Sequence, residues 1–404
     1  NYIQKNRLLN WNKSIKNLHE SKDAKNINSK SFRRLVFDEL CANFFTLSEN
    51  RRIIKKEKLS KKFLKKNSDN VEKTLPFILT KSQKEVLSEI NSDLLSAKRM
   101  FRIIQGDVGS GKTIVSLLAI SNVIESGYQC ALMSPTEILA KQHYELAKKI
   151  YNKVNFNIDI LTGKTETKSR KNILKNLESG KTNLIIGTHA LFQKKINFKK
   201  LGLAIIDEQH KFGVKQRSEL AKKGGKNCDL LLMSATPIPR TMMMSLYGDM
   251  DISKISEKPA KRKKIITLSK PEKKINELWP YIKKQINHQN QIFWVCPLID
   301  ESPFLDYSSA KKKFDLINKK FSGQVGIIHG ALDKEEKENV LKKFLNRSLS
   351  ILVSTTVIEV GIDFPNANLI IIENANKFGL AQLHQLRGRV GRGEKQATCI
   401  LLFK

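Results

Sequence analysis

Eight residues, Gly106-Asp107-Val108-Gly109-Ser110-Gly111-Lys112-Thr113, read G-x-x-x-x-G-K-T between an apolar run at Phe101–Ile104 and a helical pattern at Ile114–Glu125. Closely spaced glycines let consecutive backbone N–H groups turn toward one anion, and the N-terminus of the next helix adds the positive end of its dipole. Lys112 brings a point charge to the outer phosphates, and Thr113 a hydroxyl for a magnesium ion. The string predicts a nucleoside triphosphate site. A chance glycine-rich turn would leave its strand–loop–helix setting unexplained.

Leu203-Ala204-Ile205-Ile206-Asp207-Glu208 is a buried-strand pattern that delivers two adjacent carboxylates at its C-terminal end. In open parallel sheets ligands collect at the carboxyl ends of strands. Asp207 is therefore expected to hold the magnesium that Thr113 also approaches, and Glu208 to orient and deprotonate the attacking water. A third group is Gln385-Leu386-Arg387-Gly388-Arg389-Val390-Gly391-Arg392. Only 15 of the 73 basic residues are arginine, yet three fall between positions 387 and 392. Lysine cannot reproduce the planar, bidentate fork, so those positions carry a chemical demand. Phosphoryl transfer supplies one, because charge on the equatorial oxygens needs donors in a largely dry site. If Arg389 and Arg392 reach over from a lobe without a phosphate loop, the site is complete only when the lobes close, and hydrolysis is coupled to lobe motion.

The elements that must position these groups alternate along the chain. From about Leu75 to Glu257, β-rich runs at Phe101–Gln105, Cys130–Ser134, Asn183–Thr188, Leu203–Asp207 and Asp229–Ser234 are separated by helical stretches such as Thr136–Val154. This pattern means βαβ units and a parallel sheet covered on both faces. Pro259–Lys264 reads as a linker. Alternation then resumes with Ile265–Leu268, Gln291–Pro297, Gln324–His329, Ser350–Ser354, Asn368–Glu373 and Ala397–Phe403. Asp333 and Glu336 form a capping-box pair that starts one helix of this second lobe. Residues 1–74 mix helical stretches (Ser31–Leu47) with basic runs and carry no nameable chemistry. The fold class expected is α/β, with two tandem parallel-sheet lobes of the P-loop kind behind a short, mainly helical connector. The domains expected are 1–74, 75–258 and 259–404.

Composition adds weaker bounds. A length of 404 residues exceeds what one core usually serves. The net charge of +34 invites polyanions, but the chain is rich in Lys, Asn and Ile throughout, so a compositional drift accounts for much of it. No transmembrane-length apolar run or signal-peptide pattern is visible, and a cytoplasmic protein is expected. The first residue, Asn1, is expected to be internal to a longer chain. Five scattered cysteines without a C-x-x-C pair argue against disulfides and zinc and fit small apolar residues. No short repeat points to a solenoid.

Seven ordered strings, Gln105–Thr113, Ser134–His143, Gly187–Gln193, Asp207–Val214, Ser234–Thr241, Thr355–Ala367 and Gln382–Arg392, resemble those of superfamily-two helicases. More narrowly they resemble the RecG family, ATP-dependent helicases that remodel branched DNA. The resemblance runs from about Leu75 to the end and continues weakly upstream, where Ser31–Asn43 is similar to the segment joining that family's DNA-wedge domain to its motor. Transcription-repair coupling translocases share several strings. Gln209 stands where they typically have glutamate, however, and Trp294–Ile299 is similar to the RecG version of that strand.

The resemblance implies two RecA-like lobes, ATP and Mg²⁺ as cofactors, branched DNA (stalled forks, Holliday junctions) as partner, a monomer, and a role in recombination and repair. It implies that Phe77 and Gln83 read the adenine, and that Asp363 joins residues 106–113 at the nucleotide. It assigns Pro135, Thr136, Thr188, His189, Thr355 and Thr356 to the nucleic-acid backbone, a task suited to N–H groups and small hydroxyls because phosphates carry no sequence. Gln209, His210, Ser234 and Thr236 become the relay between the two ligands. His189, His210 and His384 lack metal spacing and read as hydrogen-bonding residues. Leu386 stands where many superfamily members have arginine, which leaves Arg387 without a transferred role. The wedge domain and a C-terminal helical extension would lie outside this chain. Two other classes stay open: a nucleic-acid-binding protein with an inactive motor, and an RNA helicase, because backbone grips separate DNA from RNA poorly without a contact to the 2′-OH.

Overall fold

The computed structural model describes residues 8–20, 26–54, 57–193, 195–208, 223–235, 250–257, 263–297, 303–355, 364–391, 393 and 395–404. They fall into two units, one made chiefly of the stretch before Leu59 and the other of Leu59 onward. In the first unit, helices Trp11–Glu20 and Lys30–Ile54 pack together. Ser29 Oγ accepts from the Phe32 N–H at 3.1 Å and closes the start of the longer helix.

The larger unit holds two sheets. Among the described residues, β1 (Phe101–Gly106), β2 (Gln129–Met133), β3 (Ile158–Leu161), β4 (Leu184–Gly187), β5 (Leu201–Ile206), β6 (Asp229–Ser234) and β7 (Asp251–Ile255) lie in the order β3-β4-β2-β5-β6-β1-β7. The pairings from β3 across to β1 are all parallel. Every residue of β2, β5 and β6 is buried, as a sheet covered on both faces requires. Helix Lys112–Glu125 is buried at every position from Val115 to Ile124. Such a helix has no polar face because it is enclosed: the sheet lies on one side, and helices Lys66–Thr74 and Lys81–Leu95 on the other. Val71, Val86, Ile90 and Leu94 share its core. Burying each such side chain contributes about 1.5–3 kcal/mol. Residues 59–74, part of the stretch read above as connector, thus pack on the first lobe.

The second sheet contains β8 (Ile266–Pro271), β9 (Gln291–Val295), β10 (Val325–Ile328), β11 (Ile351–Ser354), β12 (Ala367–Ile372) and β13 (Thr398–Phe403), in the order β10-β11-β9-β12-β13-β8 with all five pairings parallel. Side chains alternate between its faces with period two. Phe293 and Val295 join Phe344 and Phe364 on one face, while Ile292 and Trp294 join Leu278 and Ile282 on the other. Trp279 stacks on Trp294 with ring centroids 5.5 Å apart. The expected capping box is present: Asp333 Oδ1 accepts from the Glu336 N–H at 2.8 Å, and Glu336 Oε2 from the Asp333 N–H at 3.3 Å.

Strands β3 and β7 are absent from the sequence reading. Each is short and incompletely buried, so neither presents the apolar run by which β2 or β5 is recognised. The cysteines behave as packing residues, with Cys130, Cys228, Cys296 and Cys399 buried. Burial pushes the Cys228 and Cys399 thiols up to about 12, far from thiolate chemistry.

Candidate active site

The phosphate loop leaves the carboxyl end of β1 and enters helix Lys112–Glu125 through Gly111, whose φ is +92°; Gly109 has φ +75°. These left-handed values explain glycine at both positions. Lys112 Nζ donates to the carbonyls of Gly106 at 2.7 Å and Asp107 at 3.0 Å, so the ammonium is held under the loop. Gln83 braces the loop from outside. It is only 2% exposed, its Nε2 donates to Ser110 O at 2.8 Å, and its Oε1 accepts from the Thr80 N–H at 2.9 Å. A Cβ at Gly111 would lie 2.2 Å from Gln83 Nε2. Gly111→Ala is therefore expected to expel the Gln83 amide, strain the helix start and weaken ATP binding by tenfold or more, about 1.4 kcal/mol; equilibrium titration with a fluorescent ATP analogue checks this.

Asp207 follows β5, with its N–H donating to Met133 O at 2.8 Å. Its Oδ1 accepts from the Glu208 N–H at 3.0 Å, and its Oδ2 accepts from His143 Nε2 at 2.9 Å. Burial opposes ionisation of Asp207, but the His143 hydrogen bond, the His143 charge and Lys112 outweigh it and hold the carboxyl below its ordinary range. Glu208 moves the other way. Burial and then the Asp207 charge raise it, with Lys112 and Arg389 in opposition. Its φ of +49° is a sparsely populated conformation for a non-glycine residue. Two neighbouring carboxylates with diverging proton affinities are the pattern expected when one stays ionised and the other accepts a proton.

Arg389 stands on the second lobe, one residue past the turn that ends helix Leu380–Arg387. Leu386 and Val390 on either side of it are fully buried in that lobe's core, which fixes the backbone between them. Arg389 itself is 2% exposed, and its charge is felt at Glu208 of the first lobe. The approach is close. A Cβ at Gly388 would lie 3.0 Å from Val108 of the phosphate loop, and His384 Nε2 is 3.7 Å from Asp107 Oδ1. Leu386 thus fills a core position, which accounts for an apolar residue there.

The remaining expected residues are distributed as follows. Phe77 is 45% exposed. Thr136 caps helix Glu137–Ile150 by accepting from the Leu139 N–H at 3.3 Å, with Pro135 half-buried before it. Thr188 is buried after β4, followed by an exposed His189. Thr355 is buried after β11, and Ser234 at the end of β6. The buried hydroxyls of Ser134, Thr188, Ser354 and Thr355 have no hydrogen-bond partner among the described residues. Arg392, Asp363, Thr356, Gln209, His210, Thr236 and Met242–Met244 lie outside the described residues.

His143 was not singled out from the sequence, although it falls in the quoted string Ser134–His143. A signal existed: Leu139, Ala140, His143, Ala147 and Ile150 form the buried stripe of their helix. A lone histidine in that stripe needs a polar partner, and Asp207 provides it. Lys61 was missed too. It forms a fully buried ion pair with Asp229.

Thr113 and Asp207 offer a hydroxyl and an ionised carboxylate, hard oxygen donors of the kind magnesium takes. No group of three or more His, Cys, Asp or Glu among the described residues could hold a metal alone. An ion here would complete its shell with phosphate oxygens and water, as magnesium does in nucleotide sites.

A nucleotide loop on one parallel sheet, faced by an arginine anchored in a second, gives this molecule the build of a two-lobed helicase motor. The model of the DEAD/DEAH box helicase family matches residues 80–245, and that of the helicase conserved C-terminal domain matches residues 273–394. The ATP-dependent DNA helicase RecG of Thermotoga maritima is 44% identical over 99% of this chain and 51% of its own length. The Bacillus subtilis RecG is 46% identical over 82% of this chain and 48% of its own. A solved structure of RecG bound to a three-way DNA junction superposes with a TM-score of 0.85 at 41% identity, covering 99% of this chain and 53% of that one. Mss116p bound to single-stranded RNA and AMP-PNP, at 19% identity and a TM-score of 0.62, shares the fold. Over nearly its whole length the chain is thus similar, in sequence and in fold, to proteins of the RecG family. It spans about half the length of the curated relatives it matches.

Proposed function

We propose that this chain is the motor of an ATP-dependent DNA helicase that remodels branched DNA, such as stalled forks and Holliday junctions, in recombination and repair. The observation that carries this reading is the burial of Arg389 beside the phosphate loop of the opposite lobe, within electrostatic reach of Glu208. Hydrolysis is then possible only with the lobes together, and the cycle of binding and release becomes lobe motion along the nucleic acid.

In this reading Lys112 and the loop N–H groups hold the β- and γ-phosphates, with Phe77, Gln83 and Asp363 around the rest of the nucleotide. Glu208 takes the proton of the attacking water, and Arg389 and Arg392 stabilise charge on the transferring group. Thr113 and Asp207 would hold Mg²⁺, which supplies charge neutralisation at the phosphate oxygens. Pro135, Thr136, Thr188, His189, Thr355 and Thr356 grip phosphates across both lobes. Support for that grip is the row of unsatisfied hydroxyls at the carboxyl edges of the two sheets, where a ligand's oxygens would find donors. Gln209, His210, Ser234 and Thr236 link the two sites. DNA as the partner is supported by the RecG relatives and by the junction complex of one of them. No helix among the described residues is long and apolar enough to cross a membrane. A cytoplasmic monomer is the form proposed.

ATP turnover by the chain, alone and with single-stranded DNA, single-stranded RNA or a three-way junction, tests the reading. Turnover abolished by Lys112→Ala is expected, with the DNA arms exceeding the RNA arm. Unchanged turnover in Lys112→Ala would contradict the site, and stimulation by RNA alone would contradict the substrate class.

A further inference from the structure

The nucleotide site contains a polar contact that none of the roles above uses. His143 lies two turns into helix Glu137–Ile150, roughly 10–11 Å along the axis from its Thr136 cap at 1.5 Å per residue. It is 7% exposed, and its Nε2 donates to Asp207 Oδ2 at 2.9 Å. The Asp207 backbone is held at the same time by Met133 O of β2. The strand–turn–helix segment 129–150 therefore grips Asp207 at two points, its backbone from the strand and its carboxylate from the helix. One carboxylate oxygen is committed to His143 and the other to the Glu208 N–H, so the group has no free rotation about its terminal bond. His143 and Thr113 also border one cavity of about 910 Å³, which extends to Leu341 and Glu338 of the second lobe. Thr113 and the imidazole that holds the Asp207 carboxylate thus border the same space.

We infer that His143 is a positioning residue: it fixes the carboxylate plane of Asp207 so that its open lone pairs face the divalent ion of the bound nucleotide. The inference rests on the nucleotide-site reading above. Its chemistry is the outer-shell hydrogen bond that orients a ligating carboxylate, whose loss typically weakens metal affinity about 10- to 100-fold. The bulk of the ring is also part of the helix stripe, so donor and packing effects must be separated. His143→Leu keeps an apolar filler and removes the donor, whereas His143→Gln keeps an N–H that can reach Oδ2.

The test uses the full 404-residue chain saturated with a non-hydrolysable ATP analogue and follows Mn²⁺ binding by electron paramagnetic resonance. His143→Leu is expected to weaken Mn²⁺ about tenfold or more, His143→Gln to restore most of the affinity, and both to bind the analogue within twofold of wild type when Mn²⁺ is saturating. In parallel, kcat should fall in the Leu variant with KM for ATP little changed. Equal Mn²⁺ affinity in wild type and Leu variant would overturn the inference. So would Gln and Leu variants that are equally impaired, because packing alone would then explain the loss. If the wild-type chain itself binds no Mn²⁺ with the analogue, the site reading has failed and not merely the role of His143.

Discussion

Arg389→Ala is expected to lower kcat for ATP hydrolysis by about 10³-fold or more, the effect of withdrawing an arginine that stabilises charge on a transferring phosphoryl group. The affinity for nucleotide should change only a few-fold, because in the proposed reading Lys112 and the loop, not the second lobe, hold the ground-state phosphates. The guanidinium is buried, and its neighbours Leu386 and Val390 are locked in the core of the second lobe. Arg389→Lys should recover little, since an ammonium lacks the planar fork. Steady-state turnover together with titration of a fluorescent nucleotide separates the two parameters. A loss in kcat below about tenfold would remove Arg389 from the chemistry, on the scale of 1.4 kcal/mol per factor of ten.

The largest effect on stability is expected away from the nucleotide. Lys61 and Asp229 are an ion pair with neither side chain exposed. Lys61 Nζ donates as well to Asn227 O at 3.2 Å and lies 5.1 Å from the centre of the Tyr128 ring, while Asp229 Oδ1 accepts from the Met100 N–H at 2.7 Å. The pair ties the segment leading into helix Lys66–Thr74 to the start of β6. Removing one partner strands a charge where water cannot reach it, and such losses run to about 3–5 kcal/mol. Asp229→Ala should destabilise the chain by that amount in urea unfolding. The double variant Lys61→Met with Asp229→Asn should recover much of it, because no buried charge remains and the Met100 N–H keeps an acceptor. A loss under about 1 kcal/mol in Asp229→Ala would mean that the pair is hydrated in solution.

What could be read from the sequence follows the range of the forces involved. The phosphate loop, the acidic end of β5 and the arginine string each depend on neighbours a few positions away, so residue spacing alone located them. Fully buried strands such as β2 and β12 announce themselves as apolar runs, and the Asp333–Glu336 cap as a local pair. The contacts that spacing could not supply join distant segments: His143 with Asp207, Lys61 with Asp229, and Gln83 with the Ser110 carbonyl. Each unites residues that only the completed fold brings together. Gln83 shows the consequence. The resemblance implies an adenine reader, and the structure adds that its amide is buried between a helix cap and the phosphate loop. Residues 59–74 show another, since their basic surface runs concealed Val71, which enters the core only after the chain has turned back on the lobe.

The most direct test is the structure of this chain with ADP, Mg²⁺ and aluminium fluoride, in which the fluoride group mimics the phosphoryl in flight. The expected result is an Arg389 guanidinium within hydrogen-bonding distance of the fluorides, on the side opposite Lys112, with Glu208 on the attacking water. A bound nucleotide contacted by the first lobe alone, with Arg389 turned away from it, would contradict the account.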